Sequence, residues 1–223
     1  MPRYGTGLDL FDRIESSPEG LESFEIRTLM GQLSDAVRFL HANGIVHRDI
    51  KDENVILDGQ GRCQLIDFGS AAHWRPGKKW DTFSGTMHYA SPEIIRGEHY
   101  GGKEQDVYAL GVVAYVLLIG EPPFSVLPDE ALAGLTPDGP ASEALAKRCD
   151  ETPDIGVEGD GGGRLGDVAD LVRQCMQFEL GDRPTAEVMC NHRYLVGNGG
   201  WVGYKGWLPE KERVRPSPEE VRA

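Results

Sequence analysis

The sequence is poor in cysteine and carries far fewer basic residues than acidic ones. Its four cysteines form no Cys-x-x-Cys pair, which indicates a reduced cytosolic or nuclear setting. The 23 lysines and arginines are outnumbered by 36 acidic residues, and the formal net charge is -13. A negative charge of this size argues against general nucleic-acid binding and against docking on anionic lipid, and it favours a basic peptide partner.

Long hydrophobic runs are missing as well. Residues 1–11 contain no apolar signal core, and the longest apolar run, residues 107–120, is too short to span a bilayer. That run fits a buried core helix better. We therefore expect no membrane association and a cytoplasmic location, with the nucleus as the other option.

The remaining composition, 39% hydrophobic and 26% charged, is that of a packed domain. Apolar residues recur at helical spacing in four stretches, which predicts helices over residues 8–15, 21–42, 103–120 and 165–178. In the second stretch the predicted apolar face consists of Phe24, Leu29, Leu33, Val37 and Leu40. A chain of 223 residues can bury one sizeable core around such helices.

A short hairpin is predicted among these helices. Residues 55–57 and 64–66 are apolar strands, and the turn between them contains Asp58 and two glycines. The hairpin holds two loop segments side by side. One segment carries Asp49, Lys51 and Asn54 and the other carries Asp67, so that two carboxylates, one amide and one ammonium converge on a single point.

These four side chains suit phosphoryl transfer. Oxygen ligands such as those of Asn54 and Asp67 suit magnesium, which usually binds through few carboxylates plus substrate phosphates. Asp49 can accept the proton of an attacking hydroxyl, and Lys51 can neutralise charge on the transferring phosphoryl group. Positioning and electrostatics do most of the catalysis in such a site.

Two motifs in this region resemble those of a known family. His47-Arg48-Asp49, followed after four residues by Asn54, and Asp67-Phe68-Gly69 resemble the catalytic loop and the metal loop of eukaryotic protein kinases. Their order and the hairpin between them argue against the alternative, a charged loop beside a solvated hairpin. The sequence of residues 50–54 and 65–72 is particularly similar to PAS-domain-containing serine/threonine kinases.

The resemblance implies a fold and an activity. The fold is mainly α, a protein-kinase-like large lobe that is helical with short β-hairpins at the catalytic cleft. The activity is transfer of the γ-phosphoryl group of ATP to Ser or Thr of protein substrates, with ATP and Mg2+ as cofactors, in nutrient or metabolic signalling. An upstream activating kinase or a sensor domain would be a further partner.

The resemblance also implies a role for each matching residue. Asp49 is the base, Lys51 contacts the phosphate, and Asn54 and Asp67 hold the magnesium and the nucleotide. Ile56 matches the apolar residue beneath the adenine, although a buried strand residue would fit the same pattern. Supporting roles fall to His47, Arg48, Phe68, Gly69, Glu93, Asp106 and Arg183. In that set Asp106 caps the backbone of the catalytic loop, and Glu93 pairs with Arg183 in a buried ion pair.

Residues 70–89 match the activation segment of these kinases. Thr82 lies three residues before Gly85, where many such kinases carry an activating phosphothreonine, and a phosphate there would pair with Arg48. An exposed loop threonine is the alternative. Thr86 would bond to Asp49 and Lys51. Val116 stands where several basophilic kinases have an acidic substrate-binding residue, which weakens the expectation of a basic substrate.

The resemblance covers the large lobe alone. No Gly-x-Gly-x-x-Gly precedes a strand, and Gly5-Thr6-Gly7 is a weak match in the wrong place. We expect an incomplete kinase domain over residues 1–195, without the small β-rich lobe, a C-terminal tail over residues 196–223, and a truncated chain that folds but is nearly inactive. A non-catalytic binding module stays open as an alternative. A kinase-like small-molecule phosphotransferase is disfavoured by the activation segment.

Overall fold

The computed structural model describes residues 7–58, 61–124, 143, 147 and 165–196, and the predicted tail after residue 196 lies outside these ranges. The described helices are α1 (Leu10–Glu15), α2 (Ser23–Ala42), α3 (Pro92–Ile95), α4 (Gly102–Ile119), α5 (Leu165–Cys175), α6 (Ala186–Cys190) and α7 (Arg193–Val196). The described strands are β1 (Ile45–Val46), β2 (Val55–Leu57), β3 (Cys63–Leu65) and β4 (Ala72–His73). The predicted fold class, mainly helical with short strands, is confirmed.

Helix α2 is amphipathic, as its sequence predicts, but its buried face differs from the predicted one. The face consists of Ile26, Leu29, Met30, Leu33 and Val37. Phe24 was assigned to this face and is instead 63% exposed. The reason is geometric, because the buried stripe recurs every three or four residues from Ile26 and Phe24 lies only two residues before it.

Helix α4 forms the centre of the core. Almost all of its side chains are buried, and it packs against α2 and α5. A Cβ atom at Gly111 would lie 2.7 Å from Met176 Cγ and 2.8 Å from Cys175 Cβ, so glycine allows the close approach of α5. None of the helices within the described ranges is both long and apolar enough to cross a membrane.

Two antiparallel strand pairs position the loops of the site. In the first pair, β2 and β3, Val55 lies opposite Leu65 and Leu57 opposite Cys63. Strand β3 therefore begins one residue earlier than predicted. The second pair, β1 and β4, was not predicted, because residues 70–89 were assigned to a loop throughout. This second pair holds β4, just after the metal loop, against β1, just before the catalytic loop.

The entry to α1 borders the cleft. The helix begins at Leu10, two residues later than predicted, because the Asp9 side chain accepts the Asp12 amide at 2.8 Å and caps the first turn. Leu8 stays extended, and its carbonyl accepts the Leu57 amide at 3.0 Å. The chain therefore enters α1 alongside strand β2.

Candidate active site

Asp49 lies between two loops. One is the catalytic loop, residues 47–54. The other, residues 85–91, begins with Gly85-Thr86, which resembles the substrate-facing loop of serine/threonine kinases, and it is called the substrate-facing loop for that reason. Oδ1 of Asp49 accepts the Thr86 amide at 2.9 Å and the Thr86 hydroxyl at 3.0 Å. The side-chain amide of Asn54 donates to Oδ2 at 3.2 Å and to the Asp49 carbonyl at 2.8 Å. The carboxylate is thus held by Asn54 and aimed at a hydroxyl group, which is the geometry that a general base requires.

The hairpin brings Asn54 next to the metal loop, residues 67–69. The Ile66 amide donates to the Asn54 carbonyl at 2.9 Å, directly before Asp67. Asp67 is exposed and adopts a left-handed backbone conformation with φ 57°. Its Oδ1 accepts the Gly69 amide at 3.1 Å. The two predicted metal ligands are therefore held on adjoining segments by backbone hydrogen bonds.

Each residue of this pair has a side-chain oxygen of the type that binds magnesium. The Asn54 side-chain nitrogen donates to Asp49, and its Oδ1 makes no hydrogen bond within the described ranges. Oδ2 of Asp67 also makes none there. Those ranges contain no cluster of three or more His, Cys, Asp or Glu residues that could hold a metal. Asn54 and Asp67 would hold Mg2+ through these two hard oxygen donors, and the ion would supply positive charge for phosphate groups.

Lys51 is turned away from its predicted partner. Its ammonium lies 2.6 Å from Oε2 of Glu53, and no hydrogen bond to Thr86 is found in the described part of the chain. Burial lowers the pKa of Lys51, but the hydrogen bond that Lys51 donates to Glu53 and the charges of Asp49, Glu53 and Asp52 outweigh that effect and raise it. The expected contact between Thr86 and Asp49 is present, whereas the expected contact with Lys51 is not. Lys51 stays cationic and would have to exchange Glu53 for a phosphate.

The fully buried carboxylate of Asp106 in α4 holds the start of the catalytic loop. Its Oδ2 accepts the His47 amide at 2.9 Å and its Oδ1 accepts the Arg48 amide at 2.7 Å. The Nε2 atom of His41 lies 2.8 Å from Oδ2. These bonds stabilise the positive φ of 68° at Arg48, which is unfavourable for a residue with a side chain. The predicted cap is thus formed.

His47 connects the catalytic loop to the metal loop. Its Nε2 lies 3.1 Å from the Ile66 carbonyl, and its Nδ1 accepts the Asp49 amide at 3.4 Å. Since a carbonyl oxygen can only accept, the ring proton is on Nε2. The ring also packs edge-on against Phe68, with centroids 4.9 Å apart. Ile56, the residue predicted to lie beneath the adenine, is half-buried in the neighbouring strand β2.

The Arg48 guanidinium anchors the activation segment. It lies 5.2 Å from the Trp80 ring centroid and 5.7 Å from that of Tyr100. Its Nε donates to the Tyr100 hydroxyl at 2.9 Å and its Nη2 to the Thr82 carbonyl at 2.8 Å. The Thr82 side chain is exposed, and its hydroxyl donates to Asp81 at 3.1 Å. Arg48 therefore lies beside Thr82 but binds its backbone.

The substrate-facing loop packs closely on the catalytic loop. A Cβ atom at Gly85 would lie 2.6 Å from the Arg48 carbonyl, which requires glycine at this crossing. The Tyr89 hydroxyl donates to Oδ1 of Asp52 at 2.7 Å. Gln105 of α4 donates to the Tyr89 carbonyl and accepts the Ser91 amide, each at 2.9 Å. The loop is thus held by both the catalytic loop and α4.

Glu93 and Arg183 form the buried ion pair that the sequence predicts. Nη1 of Arg183 donates to Oε1 at 2.8 Å and Nη2 to Oε2 at 2.6 Å, and both side chains have 0% exposure. Burial raises the pKa of Glu93, but the hydrogen bonds and charge of Arg183 outweigh burial and lower it. Nε of Arg183 also donates to the Gln177 carbonyl at 2.6 Å. The pair therefore ties α3 to the chain before α6.

Several residues of the site were missed by sequence reasoning. Trp80 and Tyr100 enclose Arg48, and Asp52 and Gln105 bind the substrate-facing loop. His41, at the end of α2, contacts Asp106, and this contact was not foreseen. The aromatic residues in Trp80–Phe83 and at Tyr100 are a weak indication that an aromatic cluster forms, but no spacing rule links residues so far apart in the chain.

Comparison with known proteins agrees with this geometry. Residues 3–195 match the protein kinase domain. The chain is 50% identical over 118 residues to serine/threonine-protein kinase ppk6 of Schizosaccharomyces pombe, covering 53% of this chain and 15% of that protein. It is 37% identical over 188 residues to serine/threonine-protein kinase PSK2 of Saccharomyces cerevisiae, covering 84% and 15%. It is 42% identical over 148 residues to the PAS domain-containing serine/threonine-protein kinase of Mus musculus, covering 65% and 10%. The chain thus spans a small fraction of these relatives.

Proposed function

Because the chain belongs to the protein kinase family, we propose that it transfers the γ-phosphoryl group of ATP to serine or threonine hydroxyls of protein substrates. The observation that carries the proposal is the pair of contacts at Asp49, whose Oδ1 accepts a threonine hydroxyl at 3.0 Å while Asn54 holds Oδ2. A carboxylate oriented in this way can take the proton of an attacking hydroxyl.

Each further group has a part in this reaction. Asn54 and Asp67 would hold Mg2+, which neutralises the phosphate charge that develops during transfer. Lys51 would leave Glu53 for the transferring phosphate. Ile56 would contact the adenine. A phosphate on Thr82, placed there by an upstream kinase, would lie beside the guanidinium of Arg48.

The biological setting is part of the proposal. The chain is similar to a mouse kinase that is named for its PAS domain, and this supports a role downstream of a sensor domain, in nutrient or metabolic signalling. A cytoplasmic location, with the nucleus as a second site, is consistent with the free thiols of Cys63, Cys175 and Cys190.

We expect residues 1–223 alone to have very low activity. Phosphoryl transfer depends on holding the phosphates in line with the hydroxyl, which contributes about 7–11 kcal/mol in well-oriented reactions. The sequence has no Gly-x-Gly-x-x-Gly motif and no lysine ahead of the catalytic loop, where a protein kinase carries its phosphate loop and strand lysine. The chain is therefore best assayed as a chimera, in which the small lobe of a curated relative precedes residue 4.

Peptide phosphorylation by this chimera tests the function, with Asp49→Asn as the key variant. That variant keeps the shape of the side chain but is a poor base, so turnover should fall by roughly 100-fold or more. Asp170→Asn, which changes a half-buried carboxylate that pairs with His192 and Arg193, is the matched control and should keep normal turnover. Equal turnover in both variants would refute the assignment of Asp49. Phosphorylation of small molecules but not of peptides would refute the proposed substrate class.

A further inference from the structure

A hydrogen bond between two buried side chains joins the catalytic loop to the substrate-facing loop. Tyr89 is 6% exposed and Asp52 is 5% exposed, and the Tyr89 hydroxyl donates to Oδ1 of Asp52 at 2.7 Å. Within the described ranges Asp52 is the one hydrogen-bond partner of this hydroxyl. A hydrogen bond to an ionised carboxylate is roughly twice as strong as a neutral one. The contact is therefore a strong link between two segments that are 37 residues apart.

The link lies close to the reacting groups. Tyr89 ends a single 3₁₀ turn, and its amide donates to the Thr86 carbonyl at 3.0 Å. Thr86 itself binds Asp49 through its amide and its hydroxyl. The substrate-facing loop is therefore bonded to the catalytic loop at both ends of this turn, once at the base and once at Asp52.

The same contact forms one wall of a cavity of about 210 Å³ beside Thr86. The other lining residues include Phe11, Ile14, Glu53 and Val116. Val116 of α4 also lines the cavity, and its side chain is apolar and offers no acceptor to the Tyr89 hydroxyl. Burial, followed by the charge of Asp52, raises the pKa of Tyr89, and the phenol remains a donor at neutral pH.

We propose that the Tyr89–Asp52 hydrogen bond is a clamp that sets the position of the substrate-facing loop and hence the affinity for the peptide substrate. This inference rests on the proposed protein kinase function, and it makes Tyr89 and Asp52 positioning residues rather than catalytic ones. Without the clamp the loop is still attached at Thr86 and Gln105, but the cavity wall loses its fixed position. Nucleotide binding, which would involve Ile56, Asn54 and Asp67, should not change, because the Asn54 side chain is held by its own hydrogen bonds to Asp49.

Hydrogen exchange measured by mass spectrometry on residues 1–223 tests the clamp without any need for activity. Tyr89→Phe removes only the hydroxyl, and Asp52→Ala removes the acceptor. Both should speed exchange in peptides covering residues 49–55 and 83–91 and leave α4 unchanged. Tyr194→Phe is the matched control, because it removes a buried hydroxyl that donates to the Ser23 carbonyl at 3.4 Å, away from the site.

Steady-state kinetics on the chimera provide the second test. Tyr89→Phe and Asp52→Ala should each raise the peptide KM roughly tenfold and leave the ATP KM unchanged, as expected for loss of one hydrogen bond to a charged group. Asp52→Asn, which keeps an acceptor, should raise it only about threefold. The double variant should be no worse than either single variant, because both remove the same bond.

The outcomes separate the clamp from the function. Unchanged exchange in Tyr89→Phe, or an equal KM rise in Tyr194→Phe, would overturn the clamp while leaving the kinase function intact. A double variant whose effects are additive would also overturn it. If the wild-type chimera fails to phosphorylate peptides, the proposed function fails, and the exchange experiment still shows whether the clamp holds the loop.

Discussion

Replacing Arg183 by alanine should destabilise the fold severely. Glu93 would be left at 0% exposure without a cation, and the carbonyls of Gln177 and Phe178 would lose a donor. Removing one partner of a buried ion pair costs about 3–5 kcal/mol. The total stability of a domain is only about 5–15 kcal/mol, so the loss is a large part of it.

This cost can be measured on residues 1–223. For a chain of this length each kcal/mol corresponds to about 2–4 °C, and Tm should therefore fall by about 6–20 °C. Urea unfolding followed by far-UV circular dichroism should give the same free-energy difference from the midpoint and slope. Replacing Glu93 together with Arg183 should cost less than replacing Arg183 alone, because no unpaired charge is then left in the core.

Arg38→Ala is the control for this experiment. Its side chain is 40% exposed, so its ion pairs with Asp35 and Glu187 are formed by a solvent-accessible guanidinium, although the Asp35 side chain is only 12% exposed. Exposed pairs contribute about 0–1 kcal/mol, so this variant should unfold close to the wild type. Equal midpoints for Arg183→Ala and Arg38→Ala would refute the argument that burial makes the Glu93–Arg183 pair costly to break.

Three further predictions concern pH, metal and loop geometry. The pKa of Glu93 is lowered in the folded state, so its contribution to stability is complete above about pH 4.5 and is lost as the pH falls through the folded-state pKa. Glu93→Gln should therefore flatten the dependence of the unfolding free energy on pH in that acidic range, and an unaltered pH dependence would contradict this prediction. Asp67→Ala in the chimera should abolish magnesium-dependent ATP binding in titration calorimetry, and a retained dependence on magnesium would argue against its role. Asp106→Asn should lower the chimera's kcat at least about tenfold, because the backbone amide of either His47 or Arg48 then loses its acceptor. An unchanged kcat would show that the cap is dispensable.

The sequence predicted the parts of the site that depend on local structure. Asp49 and Asn54 are five residues apart in one loop, and a hairpin of short strands brings Asp67 beside them. Local turn chemistry and two short apolar runs were enough to place these groups. The Glu93–Arg183 pair spans 90 positions, and only the resemblance to a family suggested it.

Contacts between distant polar side chains were not predictable from the sequence. Arg48 reaches Tyr100 across 52 positions, and Tyr89 reaches Asp52 across 37. Such contacts leave no periodic pattern, since each depends on how whole segments pack. The prediction that Lys51 binds Thr86 failed for a local reason. Its ammonium binds the near neighbour Glu53 and not the predicted partner Thr86. The interaction energy of such polar contacts depends on how deeply they are buried, and composition does not reveal burial.

The activation segment is attached on both sides of an exposed tip. On one side the Trp74 amide donates to the Gly44 carbonyl at 2.7 Å, and the ammonium of Lys103 lies 3.8 Å from the Trp74 ring centroid. On the other side Trp80 and Tyr100 exchange two backbone hydrogen bonds of 3.0 Å. The residues between, 75–79, are exposed. Exposed tips tolerate nicking and insertion, so trypsin cleavage after Lys78 should leave both ends bound, and a short reporter peptide inserted there should leave the catalytic loop intact.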